Sequence, residues 1–138
     1  MRPLTPILHT ATVAGKPVRF VASPLHGPDF PWHVAEDLFL ALRFPRAVRR
    51  EFQQRLQGKF SGEVRTVATA TGIVTICPHY MAQGSIGAGE EIGCAPYEAS
   101  GDYARAGAAA MTALTKGMGL SGLDSVVYAC DAFKRGQR

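Results

Sequence analysis

The chain is expected to be an α+β domain in which small β-hairpins pack with a helix-turn-helix-like helix pair and two C-terminal helices. Three observations predict this. Two pairs of β-rich segments are each joined by a glycine-containing turn, two amphipathic helical patterns are separated by Pro45, and an alanine-rich run is followed by a second apolar stripe at helical spacing. With 138 residues, one hydrophobic core suffices, so 1–138 reads as a single domain. Hydrophobic residues at 46% against 19% charged favour a packed interior over a disordered tail.

The elements follow in order. Ile7 to Val13 and Val18 to Ala22 are strand candidates, and Gly15-Lys16-Pro17 turns the chain between them. Ser23 to Pro31 holds three prolines and a glycine and reads as a loop. From Trp32 to Leu42 the positions Val34, Leu38 and Leu42 recur at helical spacing, with Glu36 and Asp37 near the N-terminal turn, where the helix dipole favours acids. Pro45 cannot sit inside a helix, so Arg43-Phe44-Pro45 is a break and a second helix runs to about Gln57, ended by Gly58. Its apolar face is Val48, Phe52 and Leu56.

Glu63 to Thr69 and Ile73 to Cys77 carry the strongest strand signals, joined through Ala70-Thr71-Gly72. Pro78 stops the second strand, and the four glycines between Gln83 and Gly93 predict a glycine-rich loop over 82–101. The segment 102–138 then supplies two helices. Asp102 to Lys116 is alanine-rich, although Gly107 weakens it by about 1 kcal/mol relative to alanine. Ser121 with Asp124 resembles a capping box ahead of a last helix that carries Leu123, Val126, Val127, Cys130 and Phe133 on one face, with Lys134 and Arg135 in its final turn.

Composition excludes several classes. No stretch approaches the roughly 20 apolar residues that a bilayer span requires, and no export signal is visible. The three cysteines, Cys77, Cys94 and Cys130, are odd in number and widely spaced, which reads as reduced packing residues in a cytoplasm. Cys77 and His79 lack a second close pair to complete a metal site. Gly87-Ala88-Gly89 misses both the dinucleotide and P-loop spacings, and Gln83-Gly84-Ser85-Ile86-Gly87 misses the first glycine of a nucleophile elbow. Glu90 and Glu91 have no acid–base partner that the sequence identifies. His33 beside Trp32 reads as a packed or interfacial residue rather than a base, and Trp32 as a core anchor. No cofactor is expected, and the chain reads as a binding protein and not as an enzyme.

Charge distribution points to the partner. The net charge is +4, and Arg43, Arg46, Arg49, Arg50, Arg55, Lys59 and Arg65 fall within 23 residues opposed only by Glu51 and Glu63. Arginine's forked donors suit phosphate oxygens and guanine edges, so these seven residues are the candidate DNA-binding set. About five neutralised phosphates would give a log-log salt slope near minus 4 to 5.

The order of elements adds a resemblance. Val18-Arg19, then Pro31-Trp32-His33-Val34-Ala35-Glu36-Asp37, a helix pair and a hairpin resemble the Bro-N domain of phage antirepressors and baculovirus Bro proteins, over 7–81. That family carries a Val-Arg-like pair and a Pro-Trp-Phe-Val-Ala-x-Asp motif. It differs here in having Leu-Gly-Tyr after the first helix, where this chain has Leu42-Arg43-Phe44, and often Asn-Glu-x-Gly-Leu-Tyr, where this chain has Cys77-Pro78-His79-Tyr80-Met81. The resemblance implies a double-stranded DNA-binding domain of prophage or viral origin acting in transcription regulation. A second expectation is a protein-interaction module: a homodimer, or a domain that binds a repressor or host protein through an apolar stripe left open by the C-terminal helices. A third is an enzyme of unknown type using the 84–91 loop.

Overall fold

A computed structural model describes residues 3–136. The elements run β1 (His9–Val13), β2 (Lys16–Val21), β3 (Trp32–Val34), α1 (Ala35–Ala41), α2 (Arg46–Gln57), β4 (Arg65–Thr69), β5 (Gly72–Cys77), α3 (Met81–Ile92), α4 (Ala99–Gly117) and α5 (Leu123–Gly136). The class is α+β, as the sequence predicts. The two hairpins, however, belong to one five-stranded antiparallel sheet of order β1-β2-β3-β5-β4.

The strand that joins them is Trp32–Val34, which the helical pattern assigns to the first helix. These three residues pair with both hairpins, Phe20 opposite His33 and His33 opposite Cys77, and Val34 opposite Ile76. Proline before Trp32 holds the preceding backbone extended, and the helix starts only at Ala35. The alternation of strand side chains then sorts the core. Phe20, His33 and Cys77 face one side with Val18, under α4, whose Tyr103 ring lies 5.8 Å from Phe20. Val21, Trp32, Val34 and Ile76 face the other side and form a smaller cluster with Val67 and Val74. Ahead of β1, Thr5 donates its N–H to Ala68 on the far edge strand at 2.7 Å, tying the N-terminal segment across the sheet.

The expected glycine-rich loop is largely a helix. α3 spans Met81–Ile92 despite Gly84, Gly87 and Gly89, because Ala82, Ile86 and Gly89 make an apolar face at helical spacing and tertiary packing outweighs propensity. Gly89 is what brings it close: a Cβ there would stand 2.9 Å from Ala95 and 3.1 Å from the Phe44 ring. The helix ends at Gly93 in the left-handed region (φ 86).

α4 begins at Ala99, three residues earlier than the sequence suggests, and buries Tyr103, Ala106, Gly107, Ala110 and Met111. α5 opens on backbone bonds, Asp124 N–H to Ser121 O at 3.2 Å, and no side-chain capping box is formed. Cys77 is buried and Cys94 half-buried, whereas Cys130 is exposed and is not a packing residue. Among the described residues no helix is long and apolar enough to cross a membrane.

Candidate nucleic-acid interface

The helix pair is set by two devices that the residues of α1 and its turn supply. The first closes α1. Arg43 N–H bonds Leu40 O and Phe44 N–H reaches back to Phe39 O, both at 3.1 Å, with Arg43 left-handed (φ 60) and the Phe39 and Phe44 rings stacked 5.4 Å apart. This is the Schellman ending, with its accompanying apolar contact, at a position where glycine is the least strained residue. Arg43 occupies it and offsets the strain with its guanidinium, which donates to Ala14 O at 2.7 Å and Ala41 O at 3.0 Å. Arg43 is therefore a clamp between the α1–α2 turn and the β1–β2 turn.

The second device anchors α1 to the sheet. Arg19 on β2 meets Asp37 in a forked pair, Nε to Oδ2 at 2.8 Å and Nη2 to Oδ1 at 3.0 Å, while its own backbone N–H donates to Oδ2 at 3.0 Å. Asp37 raises the Arg19 pKa further above its ordinary value. The charged members of the Val-Arg and Val-Ala-x-Asp segments are thus each other's partners.

α2 then presents its apolar side, Val48, Phe52 and Leu56, to the core, with Phe52 edge-on to both Phe39 and Phe44. Its opposite face carries Arg46, Arg50, Gln53 and Gln57 at helical spacing. Gln53 donates to Glu36 on α1 at 2.9 Å, and the same carboxylate pairs with Arg49 at 3.7 Å; Arg49 also donates to Phe44 O at 2.7 Å. Glu36 therefore fixes the angle between the helices, a role that its reading as a dipole partner does not reveal. Gln57 reaches Thr75 on β5 at 3.5 Å, and Gln53, Gln57, Arg19 and Thr75, with Ile73 and Val74, line a cleft of about 340 Å³ between α2 and the sheet.

The seven basic residues therefore divide. Arg46 and Arg50 are exposed, stand one turn apart in the N-terminal half of α2, and form no ion pair among the described residues. No acid occupies the first turn, so Arg46 stands where the helix dipole is already positive, with Arg50 one turn further along. Arg49 lies between them, committed to Glu36 and Phe44. Arg55 projects from the other side of α2, paired with Glu51 at 2.7 Å and standing over the Phe52 ring. Lys59 lies over the Phe60 ring in the turn after α2, with 5.6 Å to its centroid. Arg65 donates to Val64 O and alternates to the sheet face opposite Thr66, so β4 carries it away from the α2 surface. The flanking contact expected from the Lys59–Arg65 region is not brought alongside Arg46 and Arg50.

A second constellation, unseen in the sequence, lies under α4. The Tyr103 hydroxyl sits 3.1 Å from His33 Nδ1 and 3.4 Å from His79 Nδ1, and Phe30 stacks on His79 with centroids 4.7 Å apart. One imidazole accepts from the hydroxyl while the other donates to it. Burial, with His79 as a lesser cause, lowers the His33 pKa to about 3; burial also lowers His79, and it pushes the Cys77 thiol up to about 12. The trio is neutral and largely closed off, with His79 alone lining a small cleft beside Asp29 and Tyr80. Sequence distance hides it, since its members come from β3, the segment after β5, and α4. Among the described residues, no three His, Cys, Asp or Glu side chains gather as metal ligands. The chain matches no protein-family model, no curated protein and no solved structure.

Proposed function

We propose that the chain binds double-stranded DNA through the N-terminal half of α2, as a regulator of the phage antirepressor type. One observation carries the reading: Arg46 and Arg50 are exposed, without an acidic partner among the described residues, in the N-terminal half of the second helix of a helix-turn-helix-like pair, with no acid in its first turn. In such pairs the start of the second helix meets base edges in the major groove. A cation at Arg46 in the first turn costs the isolated helix roughly 0.3–1 kcal/mol, a cost that a phosphate turns into attraction.

The Bro-N resemblance supports the same reading on two physical points. Its charged motif residues, Arg19 and Asp37, are mutual partners that dock α1 on the sheet. The position where that family has glycine, Arg43 here, is left-handed, as a glycine position should be.

The test is anisotropy of a labelled random-sequence duplex titrated at several salt concentrations. The logarithm of the binding constant should fall linearly with that of salt, and Arg46→Ala with Arg50→Ala should weaken binding and flatten the slope by about 2. A slope near zero, or a double variant that binds with the original slope, overturns the proposal.

A further inference from the structure

α5 packs with its larger apolar residues outward. Ala132 is fully buried and Ser125, Tyr128 and Ala129 are half-buried, so small or polar side chains meet the rest of the domain. Leu123, Val126, Val127 and Phe133 are 76%, 57%, 48% and 56% exposed, and Cys130 is exposed among them. Single exposed apolar side chains are ordinary, but a continuous stripe of this size on one helix marks a contact surface.

We propose that this stripe joins two copies of the chain, with the two α5 helices antiparallel and crossing level with Tyr128. The spacing is self-complementary about that point. Leu123 and Phe133 stand five positions to either side, and Val126 and Cys130 two. A two-fold axis therefore sets Leu123 against Phe133 and Val126 against Cys130 twice over, which is what an isologous interface requires.

Charge selects the same direction. Asp124 opens α5 and Lys134 closes it. Antiparallel pairing brings the other copy's Lys134, and its Asp131, within two positions of each Asp124 and opposes the two helix dipoles, whereas parallel pairing stacks Asp124 on Asp124, Lys134 on Lys134 and aligns the dipoles. Phe133 also forms one wall of the cleft lined by Phe30, His79 and Tyr80. Leu123 of the second copy, level with Phe133, meets the mouth of that cleft and covers apolar surface that is otherwise open. None of these residues belongs to the arginine face of α2, so the contact is independent of DNA and is measured without it.

Sedimentation equilibrium should give twice the 14.8 kDa chain mass, and Val126→Asp or Val127→Lys should return it to the single-chain value with an unchanged circular dichroism spectrum. In the antiparallel pair the two Cys130 residues lie about 6 Å apart along axes roughly 8–10 Å apart. A short bismaleimide should therefore link two copies, and Cys130→Ser should abolish the link. A single-chain mass for the unaltered protein, a folded Val126→Asp variant that stays a dimer, or crosslinking that survives Cys130→Ser would overturn the proposal.

Discussion

His33, Tyr103 and His79 form a polar group that the fold has closed, whereas Arg46 and Arg50 form one that it has left open. The first is satisfied internally: each imidazole meets the same hydroxyl, burial keeps His33 uncharged, and no buried polar side-chain atom lacks a partner among the described residues. The second has no partner among the described residues, on a helix whose other arginines are tied to Glu36, Glu51 or a backbone carbonyl. Residue type does not decide which role a polar side chain takes. Its position relative to the nearest covering element does, and the consequences of removal follow from that difference.

The largest effect is expected from the closed group on acidification. The unfolded chain takes up a proton on His33 near pH 6.5, while the folded chain resists until about pH 3. The unfolded state therefore binds more protons within that window, and stability is level above it and falls as pH drops through it. The His33 contribution is on the order of 5 kcal/mol across the whole interval. His79, also lowered by burial, acts in the same direction. Urea midpoints measured against pH should fall steeply for the natural chain and less steeply for His33→Phe; equal pH dependence in the two would break the assignment. At neutral pH, Tyr103→Phe should cost about 1–3 kcal/mol, because it strips the buried His33 Nδ1 of its hydroxyl partner, and it should leave the salt slope of DNA binding unchanged.

Arg19 and Arg43 sharpen the comparison because they share the chemistry of Arg46 and Arg50 but serve the fold. Asp37→Ala removes the acceptor for two guanidinium bonds and a backbone N–H, and should lower unfolding free energy by about 2–3 kcal/mol. Arg43 tests strain against bonding. Arg43→Ala keeps the left-handed backbone and loses the carbonyl contacts, for about 1 kcal/mol, whereas Arg43→Gly loses the same contacts but relieves roughly 1–2 kcal/mol of strain. The glycine variant should therefore melt at or above the alanine variant. The opposite order would mean that φ at this position carries no penalty.

These residues also mark how far the sequence could be read. The two hairpins, the break at Pro45 and the apolar face Val48, Phe52 and Leu56 were legible because turn chemistry and helical period are local. β3 was not, since Val34, Leu38 and Leu42 fit a helical period while the pairing of His33 with both Phe20 and Cys77 is decided by residues far away. α3 was hidden for a related reason: its glycines read as a loop until Phe44 supplies the ring that Gly89 lets close. Within the candidate site, the basic cluster was plain as composition, but its division into Arg46 and Arg50 on one side and the committed arginines on the other depends on Glu36, Phe44 O and Ala14 O, none of which the charge pattern indicates.

The smallest effect on stability separates the open group most clearly from the closed one. Arg46→Glu places an acid in the first turn of α2, where the free N–H groups and the dipole favour it. The change should raise the unfolding free energy by about 0.3–1 kcal/mol, seen as a slightly higher urea midpoint. If the α2 face meets DNA as proposed, the same variant should lose most of its affinity for duplex DNA, since a repelling charge replaces a cation. A gain in stability with a loss of binding is the signature of a residue kept for an external anion. If Arg46→Glu instead destabilises the fold, Arg46 belongs with Arg43 as part of the internal frame, and the open face of α2 shrinks to Arg50.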